Sequence, residues 1–297
     1  MQKTIYIVST PIGNLGDMTY RAVETLEKSD LILCEDTRVS TKLLSHFNIK
    51  KPLMKYEKFT EDKVAKNIDE LFKKYNTISL ITDAGTPGIS DPGSVLVKKA
   101  RENGFNIFGI PGASAVIYNM SISGLENNNF CFLGFLPRKD NEQKKLFKSL
   151  SENSEHINAF VFYESPLRII STLENLKSIK TENVFIVKEA TKLHEKQIFG
   201  NLDEVLEKLK NDDKTEKGEY VISFTIPKKE NKTDDTVCLE AEIISEVFTK
   251  KISAKDAIKN LSNKYPRNEL YKASLNLKNL KWKKIKRCNG LCLFIFF

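Results

Sequence analysis

Residues 4–10, Thr-Ile-Tyr-Ile-Val-Ser-Thr, are apolar or β-branched at almost every position, which predicts a strand buried on both faces. A helical segment follows at 19–28, and 31–36 return to an apolar run of strand length. Between 60 and 75, Val64, Ile68, Leu71, Phe72 and Tyr75 recur at helical spacing and predict one helix. A strand at 77–83, a helix at 94–104 closed by Gly104, a strand at 105–111 and a helix at 113–123 complete the first block. Strands alternating with helices predict an α/β fold with a mostly parallel sheet covered on both faces.

A second block repeats the alternation. Strands are predicted at 130–137, 159–165, 182–190 and 218–224, and helices at 141–151, 166–176 and 202–210. Residues 226–236 are polar and read as a linker. Beyond them Ser253 can cap one short helix and Pro266 can open another, a pair shaped like a helix-turn-helix. The predicted division is an α/β domain over 1–124 with the glycine-rich loops and a second over 125–226. A basic helical module follows over 237–287, and the apolar tail 288–297 is assigned no role.

Composition changes this picture in two ways. A chain of 297 residues with 40% hydrophobic content can bury two cores, and no run reaches the roughly 18 apolar residues of a membrane span. Five scattered cysteines (34, 131, 238, 288 and 292) do not suggest a disulfide framework, and the N-terminus lacks the pattern of a secretory leader, so a cytoplasmic location is expected. Charge is uneven. From Lys228 onward there are 16 Lys and Arg against 8 Asp and Glu, whereas residues 1–227 are balanced at 31 and 31. The basic end reads either as a solvated surface or as an arm that meets polyanions.

Nine of the 13 glycines fall within residues 1–124, mostly just past strand ends, where open α/β sheets bind ligands. Three loops stand out: Ser-Thr-Pro-Ile-Gly-Asn-Leu-Gly-Asp at 9–17, Asp-Ala-Gly-Thr-Pro-Gly-Ile-Ser-Asp-Pro-Gly at 83–93, and Pro-Gly-Ala-Ser-Ala at 111–115. None has the GxGxxG pattern or a phosphate-loop lysine. A ligand read by backbone and small side chains, without a phosphate clamp, fits S-adenosyl-L-methionine. Charged groups also cluster at three strand ends, Glu35-Asp36-Thr37-Arg38, Tyr163 to Arg168, and Lys188 to Lys192, which predicts a cleft between domains. Each cluster alone could equally be an ion pair or helix cap. Three histidines far apart and one Cys-x-x-x-Cys without a second pair point to no metal, and no GxSxG motif is present.

The segments STPIGNLGD, EDTR, DAGTPGISDPG, PGASA, FLGFLPRK, YESPLRI and KEATKLHE occur in the order and spacing of the bacterial ribosomal small subunit methyltransferase I family. The resemblance runs from about Ile5 to Phe224, and the C-terminal helix pair resembles that family's own appendage. It implies two α/β domains of the tetrapyrrole-methylase type with S-adenosyl-L-methionine in the cleft between them, in a homodimer without membrane attachment. The implied reaction is 2′-O-methylation of a cytidine ribose in the decoding region of 16S rRNA, free or within the small ribosomal subunit. By motif position, the resemblance assigns Leu15, Ala84, Gly85, Thr86, Ile89, Ser114, Ala115, Tyr163 or Glu164, and Ala190 to the cofactor. Ala190 stands where a larger aliphatic residue is common in the family.

A ribose hydroxyl is a poor nucleophile until its proton leaves, so a base is sought among Asp36, Glu164 and Lys188. Arg38, Arg138, Lys139, Arg168 and Lys192 are candidates for sugar or phosphate contacts. Two other readings are a tetrapyrrole-type small-molecule methylase and a non-catalytic RNA-binding protein. The basic C-terminal region argues against the first, and the dense glycine loops against the second. Asp17 is expected to brace its loop or cap the following helix.

Overall fold

The computed structural model describes residues 3–58, 60–126, 129–153, 157–227 and 239–279. Most of the expected linker, Cys238, His156, the basic run around Trp282 and the apolar tail with Cys288 and Cys292 lie outside the described residues. The chain forms two compact units, Met1–Lys228 and Lys229–Phe297.

In the first unit, β1 (Thr4–Val8), β2 (Leu31–Cys34), β3 (Leu53–Lys55), β4 (Thr77–Leu80) and β5 (Asn106–Ile110) form one parallel sheet in the order β3-β2-β4-β1-β5. Apolar packing on both faces explains the unbroken apolar runs. Ile5, Leu31, Leu33, Ile78 and Leu80 pack with Phe72, Leu96 and Ala100 in one core. Val8, Ile32, Cys34 and Ile81 pack with Ala22, Leu26 and Leu44 in another. Around them lie α1 (Tyr20–Lys28), α2 (Thr37–His46), α3 (Glu61–Lys66), α4 (Ile68–Lys74) and α5 (Ser94–Glu102). The helix expected over 60–75 is therefore two, broken at Asn67. The short strand β3 and the polar helix α2 carry too little apolar periodicity to be read from sequence.

The second sheet is mixed. Its strands β6 (Phe130–Phe135), β7 (Ala159–Glu164), β8 (Val184–Lys188), β9 (Lys196–Gly200) and β10 (Tyr220–Thr225) run in the order β6-β7-β10-β8-β9. Only β6 and β7 are parallel; β10 is antiparallel to both neighbours, and β8 is antiparallel to β9. The expectation of a mostly parallel sheet thus holds for the first sheet alone. Helix α6 (Ala115–Ile122) begins directly after β5 yet packs on the second sheet, with Val116 and Met120 against Val161, Val187 and Val221. Asn119 Nδ2 donates to the Val221 carbonyl at 3.1 Å and fixes it there. The other face is covered by α7 (Asp140–Asn153), α8 (Ile169–Leu176) and α9 (Leu202–Lys210), with Phe147, Leu173 and Leu206 around Phe160, Phe162 and Phe224.

The second unit contains α10 (Leu239–Lys250), α11 (Ala254–Leu261) and α12 (Arg267–Asn279). Ser253 caps α11, accepting from the Asp256 amide at 3.2 Å, and Pro266 precedes α12. The expected pair has a third member, α10, whose Ile243 packs with Ala257, Leu261, Leu270 and Ala273. Among the described residues no helix is long and apolar enough to cross a membrane.

Candidate functional site

Strands β4, β1 and β5 are parallel neighbours, so their carboxyl ends lie side by side and the three glycine loops emerge together. Hydrogen bonds lace them. The backbones of Thr10 and Gly85 exchange amide-to-carbonyl bonds of 2.9 and 3.1 Å. Ser9 Oγ and Thr86 Oγ1 are 2.8 Å apart, and Thr86 Oγ1 donates to the Ala113 carbonyl at 3.3 Å. The loops are thus fixed to one another, and their small residues let backbone line the space above them.

A cavity of about 360 Å3 lies over these loops, and the second sheet closes it. Ala84, Gly85, Thr86, Ile89, Ser114 and Ala115 line one side; Tyr163, Glu164 and Ala190 line the other. Nine sequence-derived candidates thus meet in one place. Ile12, Ser90, Asp91, Phe135, Ser165, Pro166 and the stretch Gly218–Val221 also line it, and sequence reasoning gives none of them a role. The Gly218–Val221 stretch escapes such reasoning because it is not a strand carboxyl end. Since β10 is antiparallel, its amino end sits beside the ends of β7 and β8, with Tyr220 opposite Glu164 and Lys188.

Leu15 does not line the cavity. It lies on a short 3₁₀ turn, Leu15–Asp17, 42% exposed, and the preceding turn brings Ile12 in instead. Thr19, not Asp17, caps α1 by accepting from the Ala22 amide at 3.1 Å.

The three candidate bases are each committed elsewhere. Asp36 caps α2 and accepts from Arg38 Nη2 at 2.6 Å, and this guanidinium holds its carboxyl far below the usual range. Lys188 is buried, donates to the Lys214 carbonyl, and lies 3.6 Å from Asp212. Glu189 and Thr191 adopt left-handed backbone angles (φ 56° and 64°), which break the strand alternation that would put Lys188 on the side of Ala190. Glu164 lines the cavity, but its side chain is 0% exposed and holds Arg168 Nη2 at 2.5 Å. It also accepts from the Ser165 amide at 2.7 Å and Thr172 Oγ1 at 2.8 Å.

Among the proposed nucleic-acid contacts, Arg38 and Arg168 are paired as described, and Arg168 also donates to the Pro137 carbonyl at 3.3 Å. Lys192 bridges Glu189 and Glu219, both at 2.9 Å. Lys139 pairs with Glu142 at 3.2 Å. Arg138 is exposed and makes no ion pair or hydrogen bond among the described residues.

Electrostatically the cavity is one-sided. Asp91, Glu164 and Glu219 line it, and among the described residues no lysine, arginine or histidine does. Burial, with Glu35 and Asp83 nearby, pushes the Asp91 carboxyl up to about 6. Burial also pushes the Tyr163 hydroxyl up to about 12, aided by Asp91. Arg168 and Lys192 neutralise Glu164 and Glu219 from outside the lining, so Asp91 is the unpaired charge that faces the cavity, and the lining offers a phosphate no cation. Among the described residues no three of His, Cys, Asp and Glu gather as a metal site.

Residues 4–206 match the family described as Tetrapyrrole (Corrin/Porphyrin) Methylases. Ribosomal RNA small subunit methyltransferase I of Mesomycoplasma conjunctivae is 42% identical over 78% of this chain and 94% of its own. The protein of the same name from Haemophilus influenzae is 38% identical over 91% and 96%. Among solved structures, uroporphyrin-III C-methyl transferase from Thermus thermophilus, complexed with S-adenyl homocysteine, shares the fold with a TM-score of 0.51. The two are 14% identical, over 74% of this chain and 96% of that one. Motifs, paired sheets and cavity agree with these likenesses: the chain belongs to the ribosomal RNA small subunit methyltransferase I family, within the tetrapyrrole methylases.

Proposed function

We propose that this protein uses S-adenosyl-L-methionine to methylate the ribose 2′-oxygen of a cytidine in the decoding region of 16S rRNA, acting as a cytoplasmic homodimer. The observation that carries the cofactor reading is the cavity itself: small residues and loop backbone at the carboxyl ends of β4, β1 and β5, with no cationic side chain among the described lining residues to grip a phosphate. The residues present fit the cofactor, which is cationic at its amine and sulfonium, anionic at one carboxylate that loop amides can receive, and without phosphate. When bound it supplies an already activated methyl group.

The chain's own residues do the rest. Backbone groups of Ala84, Gly85, Ser114 and Ala115, with Thr86 and Ala190, hold the cofactor in a fixed orientation. Tyr163 and Ile89 keep water away from the reacting centre. Positioning supplies most of the rate for an in-line displacement. The family membership and the relatives' names support rRNA as the acceptor. Arg138, and the exposed Lys255, Lys259, Arg267 and Lys272 of the second unit, are suited to phosphate contacts. Calorimetric titration with S-adenosylhomocysteine tests the site. One molecule should bind per chain, and Ala190→Trp, which fills the cavity, should weaken binding at least ~100-fold. Absence of binding, or an A190W variant that binds as wild type does, would contradict the reading.

A further inference from the structure

Two of the three carboxylates lining the cavity are engaged. Glu164 is consumed by Arg168, Thr172 and the Ser165 amide. Glu219 holds Lys192, and its side chain is 77% exposed. Asp91 differs: it is half-buried and makes no hydrogen bond or ion pair among the described residues. The groups that act on it are Glu35 beyond β2 and Asp83 beyond β4, both acids, and Tyr163 on β7. A half-buried carboxyl that faces a cavity without a donor is open to a ligand's proton or hydrogen bond.

The surroundings of Asp91 leave room for an acceptor. Its neighbour Ser90 has a left-handed backbone (φ 67°) and abuts Gly134, where a Cβ would lie 3.7 Å from Ser90 Oγ. Gly134 itself has φ 66°, and the register between β6 and β7 slips between Phe132 and Phe135. This irregularity resets the register so that Phe135 stands opposite Tyr163. Phe135 is 61% exposed, its ring lies 5.5 Å from the Tyr163 ring, and it lines the same cavity as Asp91. An exposed aromatic face is the surface on which a splayed base stacks.

We propose that Asp91 accepts the proton from the ribose hydroxyl during methyl transfer; this rests on the function proposed above. The O–H bond breaks with its proton passing to a carboxylate oxygen of Asp91. The hydroxyl oxygen's electron pair forms the new O–C bond, and the pair of the breaking C–S bond remains on sulfur. S-adenosylhomocysteine and the methylated ribose leave, and Asp91 returns its proton to water. The group works when ionised, so the rate falls on the acid side as Asp91 is protonated.

The test compares wild type with Asp91→Asn, which keeps shape and loses the base. With S-adenosyl-L-methionine saturating, as checked by calorimetry on D91N itself, single-turnover methylation of small ribosomal subunits should fall ~100-fold or more and lose its acid limb. Carbon-13 NMR of the aspartate carboxyls in the free protein should show Asp91 titrating well above an ordinary aspartate. Glu35→Gln removes one charge pressing on Asp91, and should move both that titration and the acid limb to lower pH. A D91N protein that methylates at the wild-type rate overturns the proposal. So does one that loses S-adenosylhomocysteine binding but keeps its rate at saturation, since Asp91 would then hold the cofactor. Wild-type protein that methylates no RNA would overturn the underlying reading, and the proposal with it.

Discussion

Gly13 and Lys192 approach so closely that a Cβ on Gly13 would lie 2.5 Å from Lys192 Cγ, and 2.9 Å from the Ala190 carbonyl oxygen. The opening loop of the first sheet is thus seated on the segment that follows β8. The lysine could move aside, but the backbone carbonyl cannot. Gly13→Ala should force the loop and Ala190 apart. It should destabilise the first unit by about 1–3 kcal/mol and weaken S-adenosylhomocysteine binding, as measured by urea unfolding and calorimetry.

Glu164 and Arg168 serve as a brace. The arginine neutralises a fully buried carboxylate and ties the end of β7 to the carbonyls of Leu136 and Pro137. Removing the cation alone leaves that charge uncompensated. Arg168→Met should cost about 3–5 kcal/mol in urea unfolding. If Arg168 acted only through RNA, stability would not change and RNA affinity alone would fall.

Much of the first sheet was legible because its strands are buried on both faces and its loops are punctuated by glycine and proline. The mixed second sheet was less so. Strand β9, with Lys196 and Gln197 exposed, shows no apolar run, and strand direction is not encoded in periodicity. The site followed the same divide. Ala84 to Ile89 and Ser114 to Ala115 lie where a parallel sheet must put them, whereas Gly218–Val221 enter through an antiparallel strand. The charged strand ends have the composition of reactive groups, yet Asp36, Glu164 and Lys188 are held by Arg38, Arg168 and Asp212. Pairing of this kind is set by tertiary contact, and sequence spacing does not reveal it.

Asp91 should also leave a mark on stability. Its folded-state value of about 6 exceeds that of an ordinary aspartate, so the folded protein binds its proton more tightly than the unfolded chain. The cost is absent below the unfolded value, grows between the two, and is full above about 6. Asp91→Asn should therefore raise Tm more at pH 7.5 than at pH 4. An equal change at both would show that Asp91 titrates normally.

The second unit offers cations without partners. Lys255, Lys259, Arg267 and Lys272 are exposed and make no ion pair among the described residues, whereas Lys264 is held by Glu242 at 2.9 Å. Replacing the four with glutamine should weaken RNA binding and flatten its dependence on salt, by up to ~1 unit of logarithmic slope for each phosphate no longer neutralised. S-adenosylhomocysteine affinity should not change. Salt titrations of RNA binding measure this directly.

The most direct test of the proposed function is where the methyl group goes. The protein is incubated with methyl-labelled S-adenosyl-L-methionine and small ribosomal subunits lacking the modification, with tetrapyrrole precursors in parallel. The rRNA is then digested to nucleosides and analysed by mass. Label on the ribose 2′-oxygen of one cytidine, with none on the tetrapyrroles, is the expected result. Label on a base, or on a tetrapyrrole alone, would contradict it.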